Sequence, residues 1–536
     1  MKRWAARVRS RALALRISPV LLSAVLMLPR AHTAWAAGVV GTSTADSCTD
    51  AAFDAALAGG GLVTFDCGPA PVTIDISPGA GGTGTKAIAA DTTVDGGSLI
   101  TISGGHSVAV FSVNAGITFT VENLTVAAGS MHTAGGGIHS NGGKLTVINS
   151  TFSGNSAGGA GGIYSINGTV TVTNSTFSGN RATAYGVAGG GIASVSGTLT
   201  VINSTFSGNS TNLAAGGGIY SDTNKLTAMS STFSGNSASY GGGIYSYGGT
   251  LTVAGSTFAG NIASGTGGGI ISYDPLAVTN CTFAGNSASY GGGIENHGTL
   301  TIMNSTFSDN SASTLGGGIF TDGRLTITNT ILANSTVGGN CAGGAITDGG
   351  HNIDDGTTCA FTGTDCTSTT GSSFCRTSPQ LDMAGLANHG GPTATIALEA
   401  GSPAINAGDE TICAAPPVSD LDQRGYGRPG NGATACSIGA YEYNAVPAAP
   451  TPTPCIGNCT PPSPSPTPTI TGANFCAGDC DGGGDVTVDE IITLVNIDLG
   501  TADATVCTNG IPGGVSVDIT LIIQAVGNAL TQCPAP

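Results

Sequence analysis

Two groups of residues in this 536-residue chain have types and spacings that could do chemistry. The first lies near the C-terminus: Asp479-Cys480-Asp481-Gly482-Gly483-Gly484-Asp485-Val486-Thr487-Val488-Asp489-Glu490, followed by Ile491, Ile492, Leu494 and Val495 in an apolar helix pattern. A hard cation needs several oxygens converging on one point. A loop with acids at positions 1, 3 and 12 and Gly at 6 supplies them. Asp479, Asp481 and Glu490 take the acidic positions and Gly484 the sixth. Asp485 offers its backbone carbonyl and Thr487 stands ninth. Gly483 sits where an acid is usual, which lowers the expected affinity. A second copy begins 29 residues later, with Val515-Ser516-Val517-Asp518 matching Val486-Thr487-Val488-Asp489. Its positions 1, 3 and 12 are Thr508, Gly510 and Ile519, so the sequence predicts one Ca²⁺ site and not two.

The second group emerges when the chain is aligned on its glycine runs, such as Gly135-Gly136-Gly137-Ile138 and Gly291-Gly292-Gly293-Ile294. Counting from the residue after each run, positions +1 and +3 are expected to face outward. They include Tyr220, Asp222, Tyr245, Tyr247, Tyr273, Glu295, His297 and Asp322. Exposed aromatic rows stack on sugar rings or anchor a protein partner. The bland alternative is a cross-strand ladder that only stabilises the sheet. No residue is assigned a catalytic role, because sequence assures no second carboxylate beside Glu295 and a single His297 is more often a surface residue. The +2 positions, Ser140, Ser165, Ser194, Ser221, Ser246 and Ser272, form an expected inward ladder.

What positions the stripe is a repeat. Leu145 to Asn155, LTVINSTFSGN, recurs in altered form with Phe152, Phe177, Phe206, Phe233, Phe258, Phe283 and Phe307 at one register, 24 to 29 residues apart. A period in this range signals a solenoid, whose units bury their apolar faces against their neighbours. The units are rich in Thr, Val, Ile and Phe and alternate apolar with polar, so two or three short strands per turn stack in parallel. Asn149, Asn174, Asn203, Asn280, Asn304 and Asn329 share one turn position. Asn155, Asn180, Asn209, Asn236, Asn261, Asn286, Asn310 and Asn334 share another. Asn tolerates left-handed backbone angles, and stacked amides can bond along the axis. The recurring Asn-Ser-Thr also fits a glycosylation acceptor, but the turn and strand needs explain it. Cys281 replaces a recurring Ser and reads as a small buried residue.

The leucine spacing and helical segment of a leucine-rich repeat are absent. The strand–turn pattern resembles right-handed parallel β-helix proteins, notably the repeats of polymorphic outer-membrane proteins. The handedness comes from that resemblance, with support from the right-handed rule for parallel crossovers. Ser402 to Asp409, Asp422-Gln423-Arg424-Gly425 and Ile438 to Glu442 resemble the closing segment of choice-of-anchor Q proteins. Paired loops after a Pro/Thr spacer resemble a dockerin-like module, half EF-hands that in that family dock onto a cohesin partner. The fold expected is therefore mainly β: a right-handed parallel β-helix with terminal caps, plus a small α-helical EF-hand-like module.

The organisation read from sequence is a signal peptide over 1–36, an N-terminal cap and first coils over 37–118, and repeats over 119–335. Final coils and a C-terminal cap follow over 336–444, then a Pro/Thr-rich linker over 445–473 and the small module over 474–536. The repeats suggest eight or nine coils, a rod on the order of 40 Å long. Ser47 to Leu57 reads as a capped short helix before the strand Leu62 to Phe65, with Cys48 and Cys67 paired. Residues 1–36 combine a basic start, the apolar Ile17 to Leu28 and a small-residue cleavage site, so the chain is expected at the extracellular or bacterial outer surface. No segment is long enough for a membrane-spanning helix. Removing 1–36 takes the formal charge from −17 to −24, which disfavours nucleic acid and bare anionic membranes. Fifteen cysteines fit an oxidising compartment. Only six carboxylates and four Lys or Arg lie between Glu122 and Asn334. That scarcity favours a displayed rod with an adhesin-like, structural or polysaccharide-binding role. The competing reading is a polysaccharide lyase or glycoside hydrolase carried on the rod.

Overall fold

The computed structural model describes residues 38–448, apart from 185, 187, 213, 223, 224 and 362–371. Beyond them it describes 479, 480, 486, 487, 490, 493, 494, 497, 504–507 and 511. The signal segment 1–36, nearly all of the linker, Asp481, Asp485, and the second loop from Thr508 to Ile519 except position 511 lie outside the described residues. The chain divides into one unit of Met1–Ala449 and another of Pro450–Pro536.

The first unit is a parallel β-solenoid of about 13 turns. A coil is illustrated by Ile138–Asn141, Lys144–Ile148, Thr151–Ser153 and Ser156–Ala157. The first three strands join a 33-stranded sheet, and the fourth kind stacks in a separate sheet of eight. The coils that contribute to the second sheet thus carry four strands where two or three were expected. The stack also exceeds the eight or nine recognisable repeats, because coils from Gly38–Val40 to Phe374–Cys375 pair without the Phe and Asn signature.

Inside the stack each repeated residue has one task. The phenylalanines from Phe152 to Phe307 are fully buried and stack ring on ring, with centroids 4.6 to 5.0 Å apart. That spacing follows from parallel strand pairing. Gly137 and Gly162 lie against these rings, where a Cβ would meet Phe152 and Phe177 at 3.0 Å. The two asparagine registers divide the roles that sequence gave them jointly. Asn149, Asn174, Asn203, Asn280, Asn304 and Asn329 have φ near +50° and turn the chain. Asn155, Asn180, Asn209, Asn236, Asn261, Asn286 and Asn310 are buried, and each of the first six donates from Nδ2 to the next amide Oδ1 at 2.9 to 3.0 Å. The second Nδ2 hydrogen of Asn236 goes to the Phe206 carbonyl, and its Oδ1 also accepts from the Asn209 backbone N–H. A buried amide with all donors and acceptors met adds specificity at no desolvation loss. Asn334 leaves this register: it is exposed and bonds Asp355 and Ser308 instead.

Cys281 occupies the serine ladder of Ser150, Ser175, Ser204, Ser231, Ser256 and Ser305. It is buried and free, and burial pushes its thiol up to about 12. The N-terminal cap has the expected form. Helix Asp50–Leu57 is capped by Thr49, and Cys48 is bonded to Cys67. Lys86 of the rod ties this helix down through Asp50 and Asp54, the latter at 2.7 Å.

The C-terminal segment packs on the last coils, with Leu398, Ala404 and Ile438 against Ile331 and Ile353. Residues 379–444 fold back along the flank of the last coils. Thr393 donates to the Gly255 carbonyl, Thr282 donates to Gln423, and Ala440 N–H donates to Thr306. Thr257, Thr282 and Thr306, outward positions on their strands, are thereby buried. The strap is fastened by Cys413–Cys436 and by buried ion pairs Arg424–Asp422 and Arg428–Glu442. The phrases that resembled a closing segment supply Asp422, Arg424 and Glu442, and Arg428 lies between them. Cys341–Cys359 and a disulfide at Cys375 hold the last coils.

In the second unit, Cys480 is bonded to Cys507, and Val486 and Leu494 are buried. Among the described residues, no helix is long and apolar enough to cross a membrane.

Candidate functional site: a tyrosine-lined groove

The strands that begin each coil align Tyr164, Ala193, Tyr220, Tyr245, Ile271, Glu295 and Phe320 in one row. The pleat points this row away from the solenoid interior, as expected. Even so, Tyr220 and Glu295 are only 7% and 5% exposed, so their placement as exposed outer residues is corrected. The cover is the glycine run. Gly216, Gly241, Gly267, Gly291 and Gly316 adopt positive φ and curl the chain against the start of its own strand. A Cβ on Gly291 would meet the Glu295 backbone N at 2.7 Å, and one on Gly267 would meet the Ile271 side chain at 2.6 Å. Only glycine fits such an approach.

A second element completes the site. In early coils the fourth strand has two residues, as in Ser156–Ala157 and Arg181–Ala182. It lengthens to Ser237–Tyr240, Ile262–Thr266, Ser287–Tyr290 and Ser311–Leu315. The added length carries Tyr240, Thr266, Tyr290 and Leu315, aligned with one another, into a wall beside the tyrosine rows. Sequence reasoning passed over Tyr240 and Tyr290. Their signal was the repeated Ser-Ala-Ser-Tyr before Gly-Gly-Gly-Ile.

Within this groove the expected residues meet as a continuous chain. Tyr220 and Tyr245 stack at 5.2 Å, Tyr245 and Tyr247 both abut Tyr273 at 5.8 Å, and Tyr273 stacks on His297 at 4.6 Å. His297 Nε2 lies 3.0 Å from Glu295 Oε1, and its Nδ1 lies 2.9 Å from Asp322 Oδ1. The structure therefore places a second carboxylate on the same imidazole as Glu295. Asp222 pairs in register with Tyr247 and acts electrostatically on Tyr220. Tyr247 and Asp322 are exposed, and His297 is a quarter exposed.

Burial pushes the Glu295 carboxyl up, more than the hydrogen bonds from Thr266 and His297 pull it down. Its Oε2 is buried without a hydrogen-bond partner. Burial also raises the Tyr220 hydroxyl to about 12, with Asp222 adding to it, and raises Tyr245 and Tyr273. These phenols stay neutral donors at ordinary pH.

Of the expected calcium ligands, Asp479, Thr487 and Glu490 are described. Asp479 and Glu490 are buried. Glu490 Oε1 accepts from Cys480 N–H at 2.8 Å, and Oε2 accepts from the Thr487 N–H and hydroxyl. Thr487 and Glu490 thus form a reciprocal helix-start cap, a role that needs no ion. The same bonds bring the Glu490 head to the Cys480 backbone at the start of the loop. Two buried carboxyls on one loop are the kind of donors a hard cation takes.

Residues 94–258 and 190–359 match the family model described as right handed beta helix region. The coils over 94–359 are similar to those of right-handed β-helix proteins. No curated protein and no solved structure matches the chain significantly. The β-helix match covers the coils that build the groove and does not extend to the strap or to the second unit. It brings no activity with it.

Proposed function

We propose that this protein is an exported β-helix, displayed at a cell surface or in a matrix, that binds a polysaccharide in the groove of Tyr220, Tyr245, Tyr247, Tyr273 and His297. One observation carries the reading: the fourth strand lengthens into a wall in the coils where the tyrosines accumulate. A cross-strand ladder needs no wall. Aromatic rings with neutral hydroxyls at one coil spacing offer stacking faces and donors along a chain that runs parallel to the rod axis. The second unit, reading as a calcium-stabilised, dockerin-like module, would fix the rod to a cohesin-like partner.

The test is retention of the full chain on immobilised neutral, acidic and amino polysaccharides. Tyr247→Ala and Tyr273→Ala should abolish retention without changing the melting temperature. Retention of the variants equal to wild type would overturn the reading.

The second reading, a glycoside hydrolase on the rod, is favoured by the two carboxylates that share His297. Shortened products in the same incubations, lost in Glu295→Gln, would support it.

A further inference from the structure

Glu295 is the anomaly of the groove. A carboxylate withdrawn from water is costly unless its oxygens are paired. Oε1 has His297, the Thr266 hydroxyl also acts on this carboxyl, and Oε2 is buried with no hydrogen-bond partner of its own. Around it stand the faces of Tyr273 and His297, stacked on each other, with Tyr245 and Tyr247 against Tyr273. Asp322 lies on the far side of the same imidazole. The coil-opening strands from Ile138 to Asn296 and the wall strands from Ser237 to Leu315 contain neither Lys nor Arg, and the strand Ile319–Thr328 carries one, the exposed Arg324. The lining is therefore electron-rich rings and acids, and among the described residues no Lys or Arg forms an ion pair with Glu295 or Asp322.

A small metal ion does not suit this lining. Among the described residues, the one group of three ligands within 4.8 Å of one another is Glu410, Cys413 and Cys436. Its two sulfurs are joined in a disulfide. Glu295, His297 and Asp322 are too spread for one ion to hold all three. A uronate would meet like charge. An organic ammonium answers every feature at once: its charge interacts with the ring faces, and its N–H groups supply donors to a carboxylate.

Resting on the polysaccharide reading above, we infer that the groove selects a glycan bearing free amino groups, a de-N-acetylated amino sugar polymer, with the ammonium received by Glu295 and flanked by Tyr273. His297 is the side chain that yields. It already holds Asp322 through Nδ1, so it can release Glu295 Oε1 without losing its second partner. The sugar rings then lie over Tyr247 and Tyr273, and Asp322 sits beside the next ammonium along the chain.

The experiment compares two oligosaccharides that share one backbone: a β-linked N-acetylglucosamine hexamer and its fully de-N-acetylated counterpart. Both are titrated into the full chain at constant ionic strength below the amine pKa. The charged oligomer should bind about tenfold more tightly, the size expected for one charge-assisted contact with a ring face. Glu295→Gln should cut that preference to about twofold, while Asp322→Asn has the smaller effect. Tyr247→Ala should weaken both ligands alike. Equal affinity for the two oligomers overturns the ammonium inference and leaves polysaccharide binding standing. Binding of neither overturns the ammonium inference, and with no retention on the wider polysaccharide panel it overturns the binding reading as well. A preference that survives Glu295→Gln assigns the selectivity to the chain's overall negative charge and overturns the role of Glu295. Circular dichroism and a melting curve on each variant confirm that the rod is intact.

Discussion

Glu442 and Glu295 are both buried on the flank of one rod, in surroundings that differ. Glu442 Oε1 accepts from Gly430 N–H and the Ser437 hydroxyl, and Oε2 accepts from Ser437 N–H and Arg428. Arg428 reaches the Ser437 and Gly439 carbonyls as well. Beside them Asp422 pairs with Arg424, which lies between the Tyr426 and Tyr441 rings at 4.2 and 3.8 Å. Every lone pair of Glu442 has an owner within the chain. Glu295 has one oxygen without any. A saturated buried charge network fixes one arrangement of its segment, here the strap on the coils. A half-saturated one subtracts from stability, and its retention points to something outside the chain.

The contrast can be broken most severely inside the rod, where nothing tolerates a charge. Phe233→Asp removes a stacked ring and buries an unpaired carboxylate. It should cost more than about 5 kcal/mol and prevent a cooperative melt. Thr146→Asp, on the outer side of its strand, should cost about 0.5 kcal/mol or less. Equal losses in chemical denaturation would contradict the inward and outward assignment.

Arg428→Ala leaves Glu442 charged, buried and unpaired, at a cost of about 3–5 kcal/mol. The strap should then be clipped by protease while the coils survive. Uniform digestion of coils and strap would show that the network does not act locally. In the second unit, calcium at about a hundred times its dissociation constant should add about 2.7 kcal/mol to that unit's stability. Calorimetry on the full chain should count one site, weakened sharply by Glu490→Gln, whereas two equivalent sites would contradict the loop reading.

The smallest effect belongs to Glu295. Its folded carboxyl titrates above the ordinary value of 4.5, so the folded state holds its proton more tightly than the unfolded chain. The associated stability is present below that value and is lost as pH rises through the folded pKa. Glu295→Gln should therefore flatten the decline of melting temperature with rising pH across this window and leave acidic stability unchanged. A variant that parallels wild type throughout would mean that Oε2 finds a partner in solution.

The sequence was explicit wherever one residue type met one need in every coil. Phe152 to Phe307, Asn155 to Asn310 and the serine ladder each had a register, and a register is a statement about neighbours. Cys48–Cys67 and the burial of Cys281 were legible for the same reason. The groove was half legible. The tyrosines, Glu295, His297 and Asp322 fell at the right positions, yet the cover over Tyr220 and Glu295 comes from glycine curls whose proximity to the next strand is a backbone matter. The wall was hidden in a lengthening of the fourth strand by two or three residues, too short for a periodicity to register. The strap was illegible as a strap. Its bonds from Thr257, Thr282 and Thr306 span 134 to 166 positions of sequence, and no local pattern reports such a distance.

The asparagine ladder bears on how long such a rod lasts. Asparagine followed by a small residue ages chemically when the next backbone nitrogen attacks the side-chain carbonyl and expels ammonia. Asn155-Ser156, Asn209-Ser210, Asn236-Ser237, Asn286-Ser287 and Asn310-Ser311 are all of this vulnerable kind. In each, the nitrogen that would attack is held by a carbonyl of the preceding coil, as Ser156 is by Gly129 and Ser237 by Asn209. The amide it would attack is pinned between its own neighbours. The residues most prone to spontaneous decay are thus immobilised by the bonds that stack the coils, and the rod keeps them intact for as long as it stays folded.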